Sequence, residues 1–346
     1  MKYKMDYWND IERVIKYIPD IEKLKNSRIM IVGASGLIGS SIFDLLYYLN
    51  HFCGYHIQVI LTGRSFERIS NRFGELLLDF PYEFQEFDGL KDLVINIKAD
   101  YILYCAGNAS PDFYVTHPVE TMMVNLSGLY TMLNCAKNNG TKRLLYVSSS
   151  EVYGINNTGG YFRENDLGYV DVLNPRACYP SAKRAAETLC TSFYNEYKID
   201  TVIVRPGHIY GPGIIGTDQK ASSQFMRKAI NHEDIILKSK GEQQRSYCYS
   251  LDCASAILTV LLCGKRLNAY NISNKKSIIS IYDLAKEFAT VAGVKVIFED
   301  SCELKGKEHN PMSISALNSD KLESLGWKAS FDIQEGIKKT LFYFES

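Results

Sequence analysis

One stretch leaves this chain few ways to fold: R-I-M-I-V-G-A-S-G-L-I-G-S-S, from Arg28 to Ser41. The apolar run Ile29 to Val32 reads as a buried parallel strand, and glycines at Gly33, Gly36 and Gly39 separate it from an apolar helical pattern. Strand, tight turn and helix in that order form a phosphate cradle. Gly33 allows the turn, Gly36 lets backbone approach a pyrophosphate, Gly39 lets helix pack on strand, and the helix N-terminus offers free N–H groups to an anion. Ser35, Leu37 and Ile38 complete the loop, and the expected ligand is a dinucleotide. A glycine triplet alone is weak evidence, because small loops use glycine for positive φ without any ligand.

The rest of the composition narrows the field. At 346 residues the chain can form one large domain or two ordinary ones. With 39 basic against 39 acidic residues and no long run of one sign, binding to nucleic acid or acidic membrane through bulk charge is not expected. The first residues lack the layout of a signal peptide, and no apolar run approaches the roughly 18 residues of a membrane span. A cytoplasmic location follows as the expectation. The 9 cysteines are scattered without a C-x-x-C pair, and no histidines stand at zinc-ligand spacing, so reduced thiols and no metal are expected.

Along the chain, apolar spacings at Trp8, Ile11, Val14, Ile15 and Ile18 suggest an amphipathic helix in a leader covering residues 1–27, packed outside the main domain. Helix Ser40 to Leu49, strand His56 to Thr62, helix Phe66 to Leu78, a strand-like run Tyr82 to Phe87 and strand Tyr101 to Tyr104 follow. This alternation predicts an α/β fold with a doubly wound parallel Rossmann sheet. Helix Pro118 to Lys137, strand Arg143 to Val147, a helix from Tyr179 and strand Thr201 to Pro206 continue it. A dinucleotide-binding domain is expected over 28–206, with 251–273 returning to its sheet. The Gly/Pro cluster from Gly207 to Gly213 opens a smaller mixed α/β substrate domain over 207–346. In it we expect a helix Ser222 to Asn231, a hairpin-like stretch Ile235 to Tyr249, a helix Asp252 to Cys263 and helices near Ile281 to Ala292, Ser319 to Leu325 and Ile333 to Phe344.

Several strand ends carry residues suited to a ligand. A dinucleotide site usually has an acid at the end of its second strand to hold the adenosine ribose. Here the residues are Thr62-Gly63-Arg64-Ser65. Arg64 suits a 2′-phosphate and so NADP, though it can equally be an ordinary exposed arginine. Asp88 is placed to meet adenine, or to serve as a solvated turn residue. Ala106 and Gly107 are small enough for ribose and phosphate to pass, and Asn125 follows on the next helix. Strand Arg143 to Val147 ends in Ser148-Ser149-Ser150-Glu151, and Tyr179 and Lys183 then stand four apart on one helix face. A tyrosine of ordinary pKa near 10 is a poor base at neutral pH, and a neighbouring ammonium brings it toward the working range. A serine hydroxyl nearby can hold the substrate alcohol during proton removal.

The glycine loop, the serine strand end, Y-x-x-x-K and R-P-G-x-x-Y-G-P, in this order, resemble the extended short-chain dehydrogenase/reductases of the NAD-dependent epimerase/dehydratase family, over about residues 28 to 344. Within them the chain is most similar to the UDP-glucuronate decarboxylases. Asn108-Ala109-Ser110-Pro111-Asp112-Phe113-Tyr114, Ser149-Ser150-Glu151-Val152-Tyr153-Gly154 and Pro175-Arg176-Ala177-Cys178-Tyr179 carry that closer likeness. The resemblance implies that Tyr179 takes the proton of the sugar C4 hydroxyl, Lys183 assists it and Ser149 holds the hydroxyl. It implies that Ser150 and Glu151 manage the decarboxylation, and that Ser110, Arg176, His208, Gln224 and Arg245 hold the nucleotide sugar. His208 and Gln224 replace asparagines of the family pattern, and His309-Asn310-Pro311-Met312-Ser313 lacks its usual arginine and aspartate. NAD is the cofactor the resemblance implies, against the hint of NADP from Arg64. It also implies a homodimer through the helices beginning near Pro118 and Tyr179, whose spare apolar residues include Met122, Met123, Leu126, Met132 and Leu133.

Other functions stay open at this level. A sugar 4,6-dehydratase of this family carries an aspartic acid at the position of Ser150, and serine is too weak an acid for that task. A 4-epimerase needs only the serine, tyrosine and lysine. An ordinary reductase, or a protein that binds NAD(P) without catalysis, is a further alternative.

Overall fold

The computed structural model describes residues 4–91, 93–155, 161–213, 218–299 and 314–344. The leader forms α1 (Met5–Ile15), which buries Tyr7, Trp8, Ile11 and Val14. The alternation then follows the order expected: β1 (Arg28–Val32), α2 (Leu37–Cys53), β2 (Gln58–Gly63), α3 (Phe66–Phe73), β3 (Tyr82–Glu86) and β4 (Tyr101–Tyr104). After them come α4 (Pro111–Thr116), α5 (Pro118–Met123), α6 (Leu129–Asn139), β5 (Arg143–Val147), α7 (Cys178–Tyr197) and β6 (Thr201–Pro206). The later part contains β7 (His208–Tyr210), α8 (Ala221–Ile230), β8 (Ile235–Leu237), β9 (Gln244–Tyr249), α9 (Ser250–Cys263) and β10 (Ala269–Ile272). It closes with β11 (Ile278–Ser280), α10 (Ile281–Ala292), β12 (Val296–Phe298), β13 (Ile314–Ser315), α11 (Asp320–Glu323) and α12 (Ile333–Phe344).

The main sheet has seven strands in the order β3–β2–β1–β4–β5–β6–β10, every neighbouring pair parallel. β1 runs in register between its neighbours, with Ile29 opposite Val59 on one side and Tyr101 on the other. Its side chains alternate between two cores. Ile29 and Ile31 join one with α2 and α9, while Met30 and Val32 join the other with α6 and α7. A strand covered on both faces must be apolar throughout, which is why Ile29 to Val32 carries no polar residue. The order reverses between β1 and β4, and this switch point opens the crevice at the carboxyl ends of the strands.

Four details depart from the sequence reading. Gly74, at φ 53°, stops α3 at Phe73, and a short 3₁₀ turn covers Gly74–Leu77. The helix from Pro118 carries a π turn over Val124–Gly128, widened where the Tyr104 hydroxyl donates to the Val124 carbonyl at 2.5 Å. The stretch Ile235 to Tyr249 is not a hairpin. β8 pairs with β12, and β9 lies beside β7, β11 and β13, so the two runs belong to different small sheets. The leader, finally, is part of the core: the Tyr7 hydroxyl donates to Asp44 on α2 at 2.7 Å, and the Tyr343 hydroxyl of α12 donates to Asp10 on α1 at 2.6 Å. α1 therefore clasps the two ends of the chain over the sheet.

Candidate active site

A cleft of about 690 Å³ follows the carboxyl ends of β1, β2, β4 and β5. Its floor is the glycine loop. Gly33 sits at φ 83°, and a Cβ there would stand 2.9 Å from the Ala106 Cα. A Cβ on Gly39 would meet the Gly33 carbonyl oxygen at 2.5 Å. Both positions need glycine because the loop, the first turn of α2 and the end of β4 press against one another. Gly33, Ser35, Gly36, Leu37, Ile38 and Gly39 all line the cleft, as do Arg64, Asp88, Ala106 and Gly107. The unpaired N–H groups of the first turn of α2 complete an anion cradle of the size and backbone character that a pyrophosphate requires.

At the other end of the cleft β5 delivers Ser149, and α7 delivers Tyr179 and Lys183. The Ser149 hydroxyl is hydrogen-bonded to Tyr179 and accepts the Glu151 N–H at 3.2 Å. Tyr114 stacks on Tyr179, ring centroids 5.1 Å apart and planes within 11°, which fixes the phenol's orientation. Lys183 donates to the Val147 carbonyl at 2.8 Å and lies 5.7 Å from the Tyr179 ring centroid. Burial brings Lys183 down to about 7, despite the raising influence of Cys105 and Glu187. Burial pushes Tyr179 above its ordinary value, with Glu151 adding to this and the Ser149 hydrogen bond opposing it. The lowering of the tyrosine by the lysine, expected from their spacing, is not among the influences on Tyr179, which desolvation dominates. Nζ is spent on a backbone carbonyl.

Glu151 also lines the cleft. Burial raises its pKa, and Arg176 and Arg245 act in the opposite direction. Arg245 is itself buried, 4% exposed, on β9, and its charge with that of Lys220 helps burial hold His208 down to about 3. His208 is therefore a neutral imidazole, and its buried Nδ1 has no hydrogen-bond partner among the described residues. Ser150 and Ser110 line the cleft as well, Ser150 only 6% exposed.

Four expected residues, Asn125, Gln224, Arg176 and Arg245, do not line the cleft. Asn125 is buried below the cleft, where its Oδ1 accepts the Tyr146 hydroxyl at 3.0 Å and its amide donates to the Thr121 carbonyl. It supports the floor beneath Gly107. Gln224 is exposed on α8, and its amide turns back to the Gln219 carbonyl at 2.6 Å. Arg176 sits beside the cleft, 5.6 Å from the Tyr114 ring centroid. The stretch from His309 to Ser313 lies outside the described residues.

Sequence reading missed Arg68, Glu120, Lys220 and Tyr114, all of which line the cleft. Arg68 had a visible signal, standing in the first turn of the helix that follows Arg64. Lys220 had none, because its approach depends on the fold of the later part of the chain. Among the described residues no cluster of histidine, cysteine and carboxylate side chains could hold a metal ion. The cleft assembles a positioned phenol and hydroxyl and a buried carboxyl along the same opening as an anion cradle, and Arg176 and Arg245 act on that carboxyl from beside it.

A family model described as the NAD dependent epimerase/dehydratase family matches residues 29–273. UDP-glucuronic acid decarboxylase 1 of Xenopus tropicalis is 28% identical over 335 residues, covering 95% of this chain and 74% of that protein. dTDP-D-glucose 4,6-dehydratase of Mus musculus is 27% identical over 337 residues, covering 92% and 88%. The crystal structure of UDP-glucose 4-epimerase from Thermotoga maritima with UDP-glucose superposes with a TM-score of 0.74 at 20% identity, covering 92% of this chain and 98% of that one.

Proposed function

Because the chain belongs to the NAD-dependent epimerase/dehydratase family, and is a nucleotide-sugar enzyme of that kind, we propose that it decarboxylates a UDP-hexuronate through transient oxidation at C4. The observation that carries this reading is the charge of the inner cleft. Glu151 is flanked by Arg176 and Arg245 near the Ser149–Tyr179 pair, which sets two guanidinium charges where a sugar C6 carboxylate would sit. A hexose with a neutral C6 offers those guanidinium groups no carboxylate. The dehydratase alternative needs an acid beside Glu151, and Ser150 occupies the position.

The residues divide the work. A bound dinucleotide, whose pyrophosphate the glycine loop would hold with Ala106 and Gly107 beside it, would supply the reversible two-electron oxidation at C4. Ser149 holds the C4 hydroxyl, and Tyr179 accepts its proton. Tyr179 needs help to do so, since burial favours its neutral form. Lys183, poised near neutrality at about 7, supplies a cation close by when protonated. The resulting 4-keto acid loses its carboxyl group as carbon dioxide, leaving an enolate on the sugar. Arg176 and Arg245 orient the carboxylate beforehand, and Glu151, whose raised pKa keeps a proton available, returns that proton to C5. Tyr179 then gives its proton back to the C4 oxygen as the ketone is reduced. Neutral His208 lines the cleft, and its buried Nδ1, without a partner among the described residues, is placed to exchange a hydrogen bond with a sugar hydroxyl.

The experiment is mass spectrometry of the nucleotide-sugar fraction after incubation with UDP-glucuronate. We expect a UDP-pentose or its 4-keto form, lost in Tyr179→Phe. Unchanged UDP-glucuronate under conditions where the dinucleotide binds would reject the reading.

We also propose that the chain acts as a homodimer through α5, α6 and α7. Leu126, Tyr130, Ala185 and Leu189 line a shallow groove of about 410 Å³ between these helices. Val119, Met123 and Tyr130 are exposed around it.

A further inference from the structure

We propose that the adenosine end of the cleft is a 2′-phosphate site, built by Arg64 and Arg68, and that the chain selects NADP(H) over NAD(H). The proposal deepens the dinucleotide reading above and rests on it.

A non-phosphorylated adenosine ribose is recognised by a carboxylate at the end of the second strand, which accepts hydrogen bonds from its two hydroxyls. β2 ends in Thr62 and Gly63 and provides no such group. The Thr62 hydroxyl is committed to the Ile31 carbonyl at 3.2 Å and fully buried, while its own carbonyl accepts the N–H groups of Gly33 and Ala34. Gly63, Arg64 and Arg68 instead line the cleft, contiguous with the glycine loop. Arg64 precedes Ser65, the extended N-cap of α3, and Arg68 stands in the first turn of that helix, so the strand end and the helix start each bring one guanidinium to the cleft. Arg64 is held by Glu120 at 3.6 Å, itself a cleft residue, so its guanidinium is kept over the opening. Arg68 makes no ion pair among the described residues.

The carboxylates in reach do not restore an NAD site. Asp88 turns one oxygen to the Leu90 N–H at 3.2 Å, within its own loop. Glu120 is already paired with Arg64, and Glu67 is an exposed α3 residue that does not line the cleft. Two guanidinium groups facing one dianionic phosphate is the arrangement in which arginine outperforms lysine, because its planar fork donates two bonds at once. The same two cations offer little to a neutral ribose hydroxyl.

The test needs no turnover. Dissociation constants for NADPH and NADH are measured by titration on the full chain, with 2′,5′-ADP and 5′-AMP as competing probes, in the wild type and in an Arg64→Ala/Arg68→Ala double variant. We expect NADPH to bind at least about tenfold more tightly than NADH, 2′,5′-ADP to compete better than 5′-AMP, and the double variant to lose NADPH affinity by about tenfold or more. NADH affinity in the double variant, unchanged within about twofold, shows that the glycine loop remains folded. Equal or tighter binding of NADH by the wild type, or an equal loss of both ligands in the variant, overturns the proposal while leaving the dinucleotide reading intact. Failure of both NADPH and NADH to bind overturns both together.

Discussion

Glu151 shows how burial assigns a role to a side chain. Raised by desolvation and moderated by two arginines, its carboxyl keeps a proton at a pH where an exposed glutamate would have lost it. Glu151→Gln should lower kcat by about 10²- to 10⁴-fold, the usual range for a lost acid–base group, with a smaller effect on KM. The pH profile of kcat/KM checks the assignment, since the limb belonging to Glu151 should vanish in the variant. Lys183 offers a measurement independent of turnover. Its folded pKa of about 7 lies below the ordinary 10.5, so between these values the unfolded chain holds the extra proton. Wild-type stability relative to Lys183→Met should therefore rise with pH, by about 1.4 kcal/mol per unit, from pH 7 to 10, and flatten below 7. Urea unfolding of both proteins across that range reads the slope, and a flat difference would mean that burial does not lower the pKa of Lys183. Tyr179 and Lys183 were legible from their spacing and the preceding serines. Their electrostatics were not, because spacing reveals neighbours and says nothing about how much water they lose.

The strand, loop and helix from β1 into α2 is the element on which the cleft depends. It was legible because its glycines answer to local demands: a positive φ at Gly33 and a helix pressed against a carbonyl at Gly39. Gly39→Ala puts a methyl group 2.5 Å from the Gly33 oxygen, where only backbone movement relieves it. A loss of about 2 kcal/mol or more is expected, read as a lower Tm, together with weaker dinucleotide binding. The stretch Ile235 to Tyr249 failed as a hairpin for the opposite reason. Both runs have strand character, yet β8 finds its partner at Val296–Phe298, and β9 takes His208–Tyr210 and Ile278–Ser280 as neighbours. Pairing between distant segments leaves no trace in a local pattern. Gln224 was misplaced similarly, since a helix position alone does not say that its amide turns back to Gln219.

At the scale of the whole molecule, α1 ties the chain together: Tyr7 bonds α2, Asp10 bonds α12, and Lys339 adds an ion pair to Asp10 at 2.9 Å. Its amphipathic spacing was legible, but the polar partners, Asp44 on the next helix and Lys339 and Tyr343 at the other end of the chain, were not. No helix among the described residues is long and apolar enough to cross a membrane. The apolar rim around Tyr130 is expected to pair two copies, so light scattering should give twice the mass of one chain, and Tyr130→Glu should shift the protein toward monomer. The central claim, that this cleft removes a carboxyl group from a UDP-hexuronate by oxidising and then restoring C4, is tested most directly with UDP-glucuronate carrying deuterium at C4. The account predicts a UDP-pentose that retains the label at C4 and gains one solvent hydrogen at C5. A pentose that has lost the C4 label to water, or labelled UDP-glucuronate returned intact from a dinucleotide-loaded enzyme, would contradict it.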